Sequence, residues 1–194
     1  MPKVVDRAAQ RRAIGAALLD LVSRNGLDDV SVRTVAVAAG RSAGAVQKYF
    51  RTKDEMVRFA AELAGEQVEL RWAEVDVTGP PHEVLRRLVL TTLPLDDARR
   101  AEATVRFAFV TRAVHHPGLA ATQREIDIDI RTALTDWLLA AALPTHDRAD
   151  CERLADAVIA LSDGLAMRLL YTPDAQDELI PALDRALRAL LTHH

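Results

Sequence analysis

The sequence predicts an all-α protein: an N-terminal unit of three helices, then a larger helical bundle, about nine helices in all. Three observations carry this. Apolar residues recur at helical spacing along almost the whole chain. Small polar residues suited to capping stand before these runs, and Gly or Pro stands after them. Only Glu125 to Ile130 alternates as a strand would. That stretch lies inside a longer helical pattern, without turn residues beside it or a second strand to pair with.

The elements follow in order. Ile14, Leu18, Leu21 and Val22 form one apolar stripe, and Asn25-Gly26 closes that first helix. Ser31 is placed to cap a short helix over 32–39, which Gly40 stops. Ser42 caps a third over 43–50. Thr52 and Glu55 have the spacing of a capping box, so a long helix should begin at Lys53 and run to about Val75. Thr78-Gly79-Pro80-Pro81 is a break. Further helices are expected over 82–93, 96–115, 118–143, 148–171 and 174–191. Leu93-Pro94, His116-Pro117-Gly118, Leu143-Pro144 and Thr172-Pro173 separate them, with Thr172 as cap and Pro173 as the first helical residue. The expected division is 1–52 for the small unit and 53–194 for the bundle. The final His193-His194 is either a native end or the start of a tag.

Composition bounds the class. With 194 residues, 49% hydrophobic and 27% charged, the chain can bury a core without disulfide or metal. Cys151 is the only cysteine, so no internal disulfide forms, which suits a reducing compartment. The first residues lack the apolar run of a signal peptide. The longest apolar stretch, 137–143, falls far short of the ~20 residues that span a bilayer. A cytoplasmic protein without a membrane partner is expected. The net charge of −3 is unevenly spread. Residues 1–55 carry ten Lys/Arg and six Asp/Glu, a surplus of +4, and the remainder carries −7. A basic head on an acidic body suits a protein that offers one face to phosphate.

Residues 31–53 carry the most information. Two short helices are joined by a tight turn containing Gly40, with Val35, Ala36 and Ala39 facing Val46, Tyr49 and Phe50. The small alanines allow the close crossing of a helix-turn-helix. The second helix opens with Ser42, Ala43, Gly44 and Ala45, free of the bulk that would keep it from a major groove about 12 Å wide.

Residues 10–63 resemble the N-terminal domain of the TetR/AcrR family of bacterial regulators. The matching residues are Val35-Ala36, Ala39-Gly40, Ser42, Gly44, Val46, Tyr49-Phe50 and Lys53. Leu93-Pro94-Leu95-Asp96, Arg99-Arg100-Ala101-Glu102 and Ser162-Asp163-Gly164-Leu165 resemble the ligand-binding half of the BetI-like branch. The resemblance implies a ligand-responsive DNA-binding regulator, usually a repressor. Such a protein binds a palindromic operator in double-stranded DNA as a homodimer and is released by a small-molecule effector. DNA contacts are implied for Arg33, Arg41, Ser42, Ala43, Gly44, Gln47, Lys48, Tyr49 and Lys53. Gln47 stands where the family usually has Tyr or Trp, so a base or phosphate hydrogen bond replaces the aromatic contact there.

The resemblance also assigns the body. Its last two helices become candidates for dimerisation through Leu154, Val158, Leu161, Leu165, Leu169, Leu183 and Leu187, which recur at helical spacing. Leu63, Trp72, Phe107, Val110, Ile130, Trp137 and Met167 are candidates to line an effector pocket, with filled core as the plainer alternative. Glu66, Glu102, Asp127, Asp129 and Asp163 pair with a cationic ligand or are simply solvated.

No nucleophile elbow, phosphate loop, dinucleotide fingerprint or HExxH motif occurs, so neither catalytic residues nor a cofactor is expected. His115-His116 are adjacent and point to different sides of a helix, a poor arrangement for a metal, and no metal site is expected. The rival reading is a helical adaptor that binds protein partners and no DNA; the basic head and the slim third helix argue against it.

Overall fold

The structure, a computed structural model, describes residues 6–141 and 147–192. The expected break at Leu143-Pro144 and the terminal His193-His194 lie outside them. Among the described residues the chain is all helical. The order is α1 (Arg7–Asn25), α2 (Val32–Ala38), α3 (Ala43–Gln47), α4 (Lys53–Ala73), α5 (Pro81–Thr92), α6 (Asp97–Ala113), α7 (Pro117–Ala140), α8 (Arg148–Tyr171), a 3-10 turn (Pro173–Ala175) and α9 (Gln176–Thr192).

Local chemistry sets most of these ends. Asp6 caps α1 by accepting from the N–H groups of Ala8 and Ala9. Gly26 ends α1 at φ 76°, where a side chain would be strained, while its N–H reaches the Val22 carbonyl at 2.9 Å. Glu125 to Ile130 lies inside α7, so the alternation there is helical surface.

Several ends differ from the sequence expectation. The third helix stops at Gln47, and 3-10-type bonding carries the chain through Tyr49. That tightening turns Phe50 into the core, where it is 1% exposed. Thr52 caps α4 by accepting from Glu55 N–H at 3.1 Å, but the Glu55 carboxylate accepts from Arg51 N–H at 2.6 Å. The expected capping box is therefore displaced by one residue. Pro173 opens the 3-10 turn, and α9 proper begins at Gln176 with no capping bond from Thr172.

Two apolar clusters organise the fold. In the head, Ile14, Leu18 and Val22 of α1 meet Val35 and Ala36 of α2, Val46 of α3, Phe50, and Met56 and Ala60 of α4. Val105 of α6 completes this cluster, so the head core continues past residue 52 and rests on the body. The second cluster joins α5, α7, α8 and α9. Helix α6 links the two, packing on α1, α4, α7 and α8. Helices α1 and α4 approach closely because Gly15 lacks a side chain; a Cβ there would collide with Leu63 Cδ1.

Candidate nucleic-acid interface

The α2–turn–α3 unit is built from three short-range devices. The Ser31 hydroxyl accepts from Thr34 N–H at 3.1 Å, and Thr34 Oγ1 accepts from Ser31 N–H at 2.9 Å. This reciprocal pair fixes the entry of α2. At its exit Gly40 adopts φ 62°, and Arg41 N–H bonds the Ala36 carbonyl at 2.8 Å. The Ser42 hydroxyl then accepts from Ala45 N–H at 3.2 Å and starts α3.

Behind this frame Val35, Ala36, Val46 and Phe50 are buried. In front of it Arg33, Ser42, Ala43, Gly44, Gln47 and Lys48 are exposed. Arg41 and Tyr49 are half-buried, and Tyr49 packs against the head core. Lys53 is also half-buried, and its ammonium donates to the Leu27 carbonyl at 3.0 Å. The sequence did not reveal that bond, because Leu27 lies in a loop remote from Lys53. It anchors the ammonium at the foot of α4 with two N–H groups still to direct elsewhere.

The body residues singled out from sequence differ in burial and in what they pack against. Trp72, Phe107 and Trp137 pack against the body cluster. Leu63 is buried where α4 meets α1. Val110 and Ile130 are half-buried, whereas Met167 is exposed. Two open clefts lie elsewhere, and none of these seven residues lines either. One, of about 370 Å³, lies between Asp54 and Arg58 of α4 and residues 116–119 and 122 at the start of α7. The other, of about 250 Å³, is lined by Arg7, Arg11, Lys48, Tyr49, Arg51, Glu55 and Arg58.

The leucine stripes expected at a dimer contact pack within the chain itself. Leu154, Val158, Leu165, Leu169, Leu183 and Leu187 lie in the chain's own core, and Leu161 packs against it half-buried. They join α8 and α9 to α5 and α7 within one protomer. The helical periodicity is real, but the surface it meets is internal.

Three of the acidic residues considered as ligand partners already have cations. Glu66 pairs with Arg12 of α1 at 2.6 Å, Glu102 with Arg71 at 2.5 Å, and Asp163 with Arg106 at 3.5 Å. Burial pushes the Asp163 carboxyl above its usual range despite Arg106, and Asp127 adds to the rise. Burial likewise lowers the Arg106 guanidinium. These pairs join residues far apart in sequence. Among the described residues, no group of three or more His, Cys, Asp or Glu side chains is arranged to hold a metal.

A buried helix-turn-helix frame with a polar, uncluttered outer face defines a DNA-binding module. Comparison with known proteins agrees. Residues 14–59 match the family model of bacterial regulatory proteins of the tetR family. Residues 81–192 match the C-terminal model of BetI-type transcriptional repressors. The chain belongs to the TetR family of transcriptional regulators, with a BetI-type C-terminal half. It is 29% identical over its whole length to the regulator PksA of Bacillus subtilis, covering 92% of that protein. The nicotine-responsive repressor HdnoR of Paenarthrobacter nicotinovorans is 27% identical, with 93% of this chain and 96% of that protein covered. Among solved structures, a transcriptional regulator from Rhodococcus sp. Rha1 superposes with TM-score 0.83 at 37% identity, covering 93% of this chain and 95% of that one. The chain is accordingly a DNA-binding regulator rather than an enzyme. No described helix is long and apolar enough to cross a membrane.

Proposed function

We propose that this protein is a cytoplasmic repressor that binds a two-fold symmetric operator as a homodimer and leaves it when a small effector enters the body. The observation that carries the reading is the outer face of α2 and α3. Arg33, Ser42, Gln47 and Lys48 stand exposed there on a frame whose inner residues are fully buried. Arg33 and Arg41 supply phosphate contacts, Ser42, Ala43, Gly44 and Gln47 approach the bases, and Lys48, Tyr49 and Lys53 hold the strand beside them.

A recognition helix of five residues reads little sequence alone. Pairing places two such helices roughly 34–36 Å apart on successive major grooves. With the inner leucines of α8 and α9 occupied, the outer faces of these helices are left to pair. Ala160, Gly164, Met167 and Tyr171 are exposed at helical spacing along α8 and support that assignment. The effector enters among the half-buried Trp72, Phe107, Val110, Ile130 and Trp137, displacing side chains that now fill the interior. HdnoR, which answers to nicotine, is a precedent for a small organic effector.

The test is recovery of bound fragments from genomic DNA followed by a gel shift, with sedimentation to read the mass of the complex. A salt-dependent shift with two chains per symmetric site is the expected result. A protein adaptor would give no sequence-preferring shift at any salt concentration.

A further inference from the structure

The 250 Å³ cleft on the head is lined by five cations, Arg7, Arg11, Lys48, Arg51 and Arg58, against one carboxylate, Glu55. Such a cluster repels itself unless something balances it. Little within the chain does so. Glu55 directs one oxygen to the backbone N–H of Arg51. Arg58 is held at 3.5 Å by Glu62. Among the described residues Arg7, Arg11, Lys48 and Arg51 make no ion pair. Elsewhere the chain pairs its arginines across helices, as in Arg12–Glu66, Arg71–Glu102, Arg86–Asp184 and Arg131–Asp156.

The cleft is also partly preorganised. The Arg11 guanidinium lies 4.3 Å from the Phe59 ring centroid and 5.1 Å from that of Phe50. These stacks fix a cation in place without neutralising it. Its Nε is buried and has no hydrogen-bond partner among the described residues. Arg7, Lys48 and Arg51 are exposed around it.

Position then selects the anion. Lys48 is the C-terminal cap of α3, and Tyr49 follows it. Five helical residues rise about 7.5 Å at ~1.5 Å each, less than the ~12 Å width of the major groove. With the start of α3 among base edges, its far end lies at the groove wall, which is a row of phosphates.

We infer that Arg7, Arg11, Lys48 and Arg51 form a phosphate-binding cleft that grips the DNA strand flanking the recognition helix. This rests on the DNA-binding reading and extends the footprint to α1 and to the turn before α4. The contacts are sequence-independent and contribute to the salt dependence of binding at every site.

The test uses the full chain and a fluorescein-labelled duplex, either random in sequence or carrying the recovered operator. Anisotropy gives the slope of log K against log salt. Arg7→Ala with Arg51→Ala removes two exposed cations that hold no internal partner, so the melting temperature should not move. The slope should become shallower by about 1.8, at ~0.9 for each phosphate no longer neutralised, on both duplexes. Arg7→Lys with Arg51→Lys keeps the charge and should restore most of it. Arg124→Ala, on α7, removes an exposed cation that makes no ion pair among the described residues, and should leave it unchanged. Wild-type binding with the same slope in the double alanine variant overturns the cleft alone. A wild-type chain that binds neither duplex overturns the DNA reading and the cleft with it.

Discussion

Arg71 of α4 grips Glu102 of α6 with both arms, at 3.1 and 2.5 Å, while its Nε donates to the Thr91 carbonyl at the end of α5 at 3.2 Å. One guanidinium thus ties α4, α5 and α6 together. Side-chain exposures of 27% and 12% place the pair well inside the surface. Removing one partner of a fully buried pair costs about 3–5 kcal/mol, and partial exposure reduces that. We expect Glu102→Ala to destabilise the fold by about 1–3 kcal/mol, or ~2–4 °C in melting temperature per kcal/mol for a chain of this size. Glu102→Gln keeps one hydrogen bond and should be milder. Calorimetry checks the order, and equal midpoints for wild type and both variants would refute it.

Asp96 gives the fold a definite acid sensitivity. Burial works to raise its carboxyl, but bonds from the backbone and side-chain N–H groups of Arg99 outweigh it and hold the group below its usual range. A depressed folded-state value stabilises the protein above the unfolded value, near 3.9, and the contribution is lost as pH falls through the folded one. The same carboxylate caps α6, accepting from Arg99 N–H at 2.8 Å. Asp96→Ala should therefore destabilise the fold at pH 7 by the ~1 kcal/mol of a lost cap, read as a lower melting temperature. The gap from wild type should shrink toward pH 3. A constant gap across that range would show that the charge plays no part.

Cys151 sits at the start of α8 and is 1% exposed. Burial raises its thiol above the ordinary range, and the negative charges of Asp150 and Asp147 raise it further. Since the thiolate is the reactive form, the native chain should react with a thiol-specific disulfide reagent at pH 8 far more slowly than the chain in denaturant. Equal rates in the two states would contradict this burial.

Legibility followed the range of the interactions. Ser31, Ser42, Thr52, Gly26 and Gly40 act within a few residues of themselves, and their places in the sequence marked the helix ends they make. The early end of α3 depended on Phe50 finding Phe59 and the α1 face, which local pattern does not record. Periodicity gave the apolar face of α8 but not what covers it. Leu154 and Leu165 proved to face the chain's own core, as did Leu183 of α9. The family frame at Gly44, Tyr49 and Phe50 was readable, whereas the cationic cleft was not. Arg7 and Lys48 come together only when α1 packs beside the end of α3.

Gly44 separates the fold from the interface most cleanly. It lies in α3 without a positive φ, and a Cβ added there would meet nothing within 4 Å. Glycine inside a helix is destabilising by roughly 0.5–1 kcal/mol relative to alanine. No contact among the described residues requires that loss. Under the proposed DNA reading, the exposed start of α3 meets the floor of the groove, where an added methyl would matter. Gly44→Ala should raise the melting temperature by a few degrees, at about 2–4 °C per kcal/mol. The added methyl should at the same time push the helix off the bases and weaken operator binding by about tenfold, the equivalent of ~1.4 kcal/mol. Binding to a random duplex, held by phosphate contacts, should change far less. Calorimetry and anisotropy on the same preparation decide it: a stabilised variant with undiminished operator affinity would remove Gly44 from the interface.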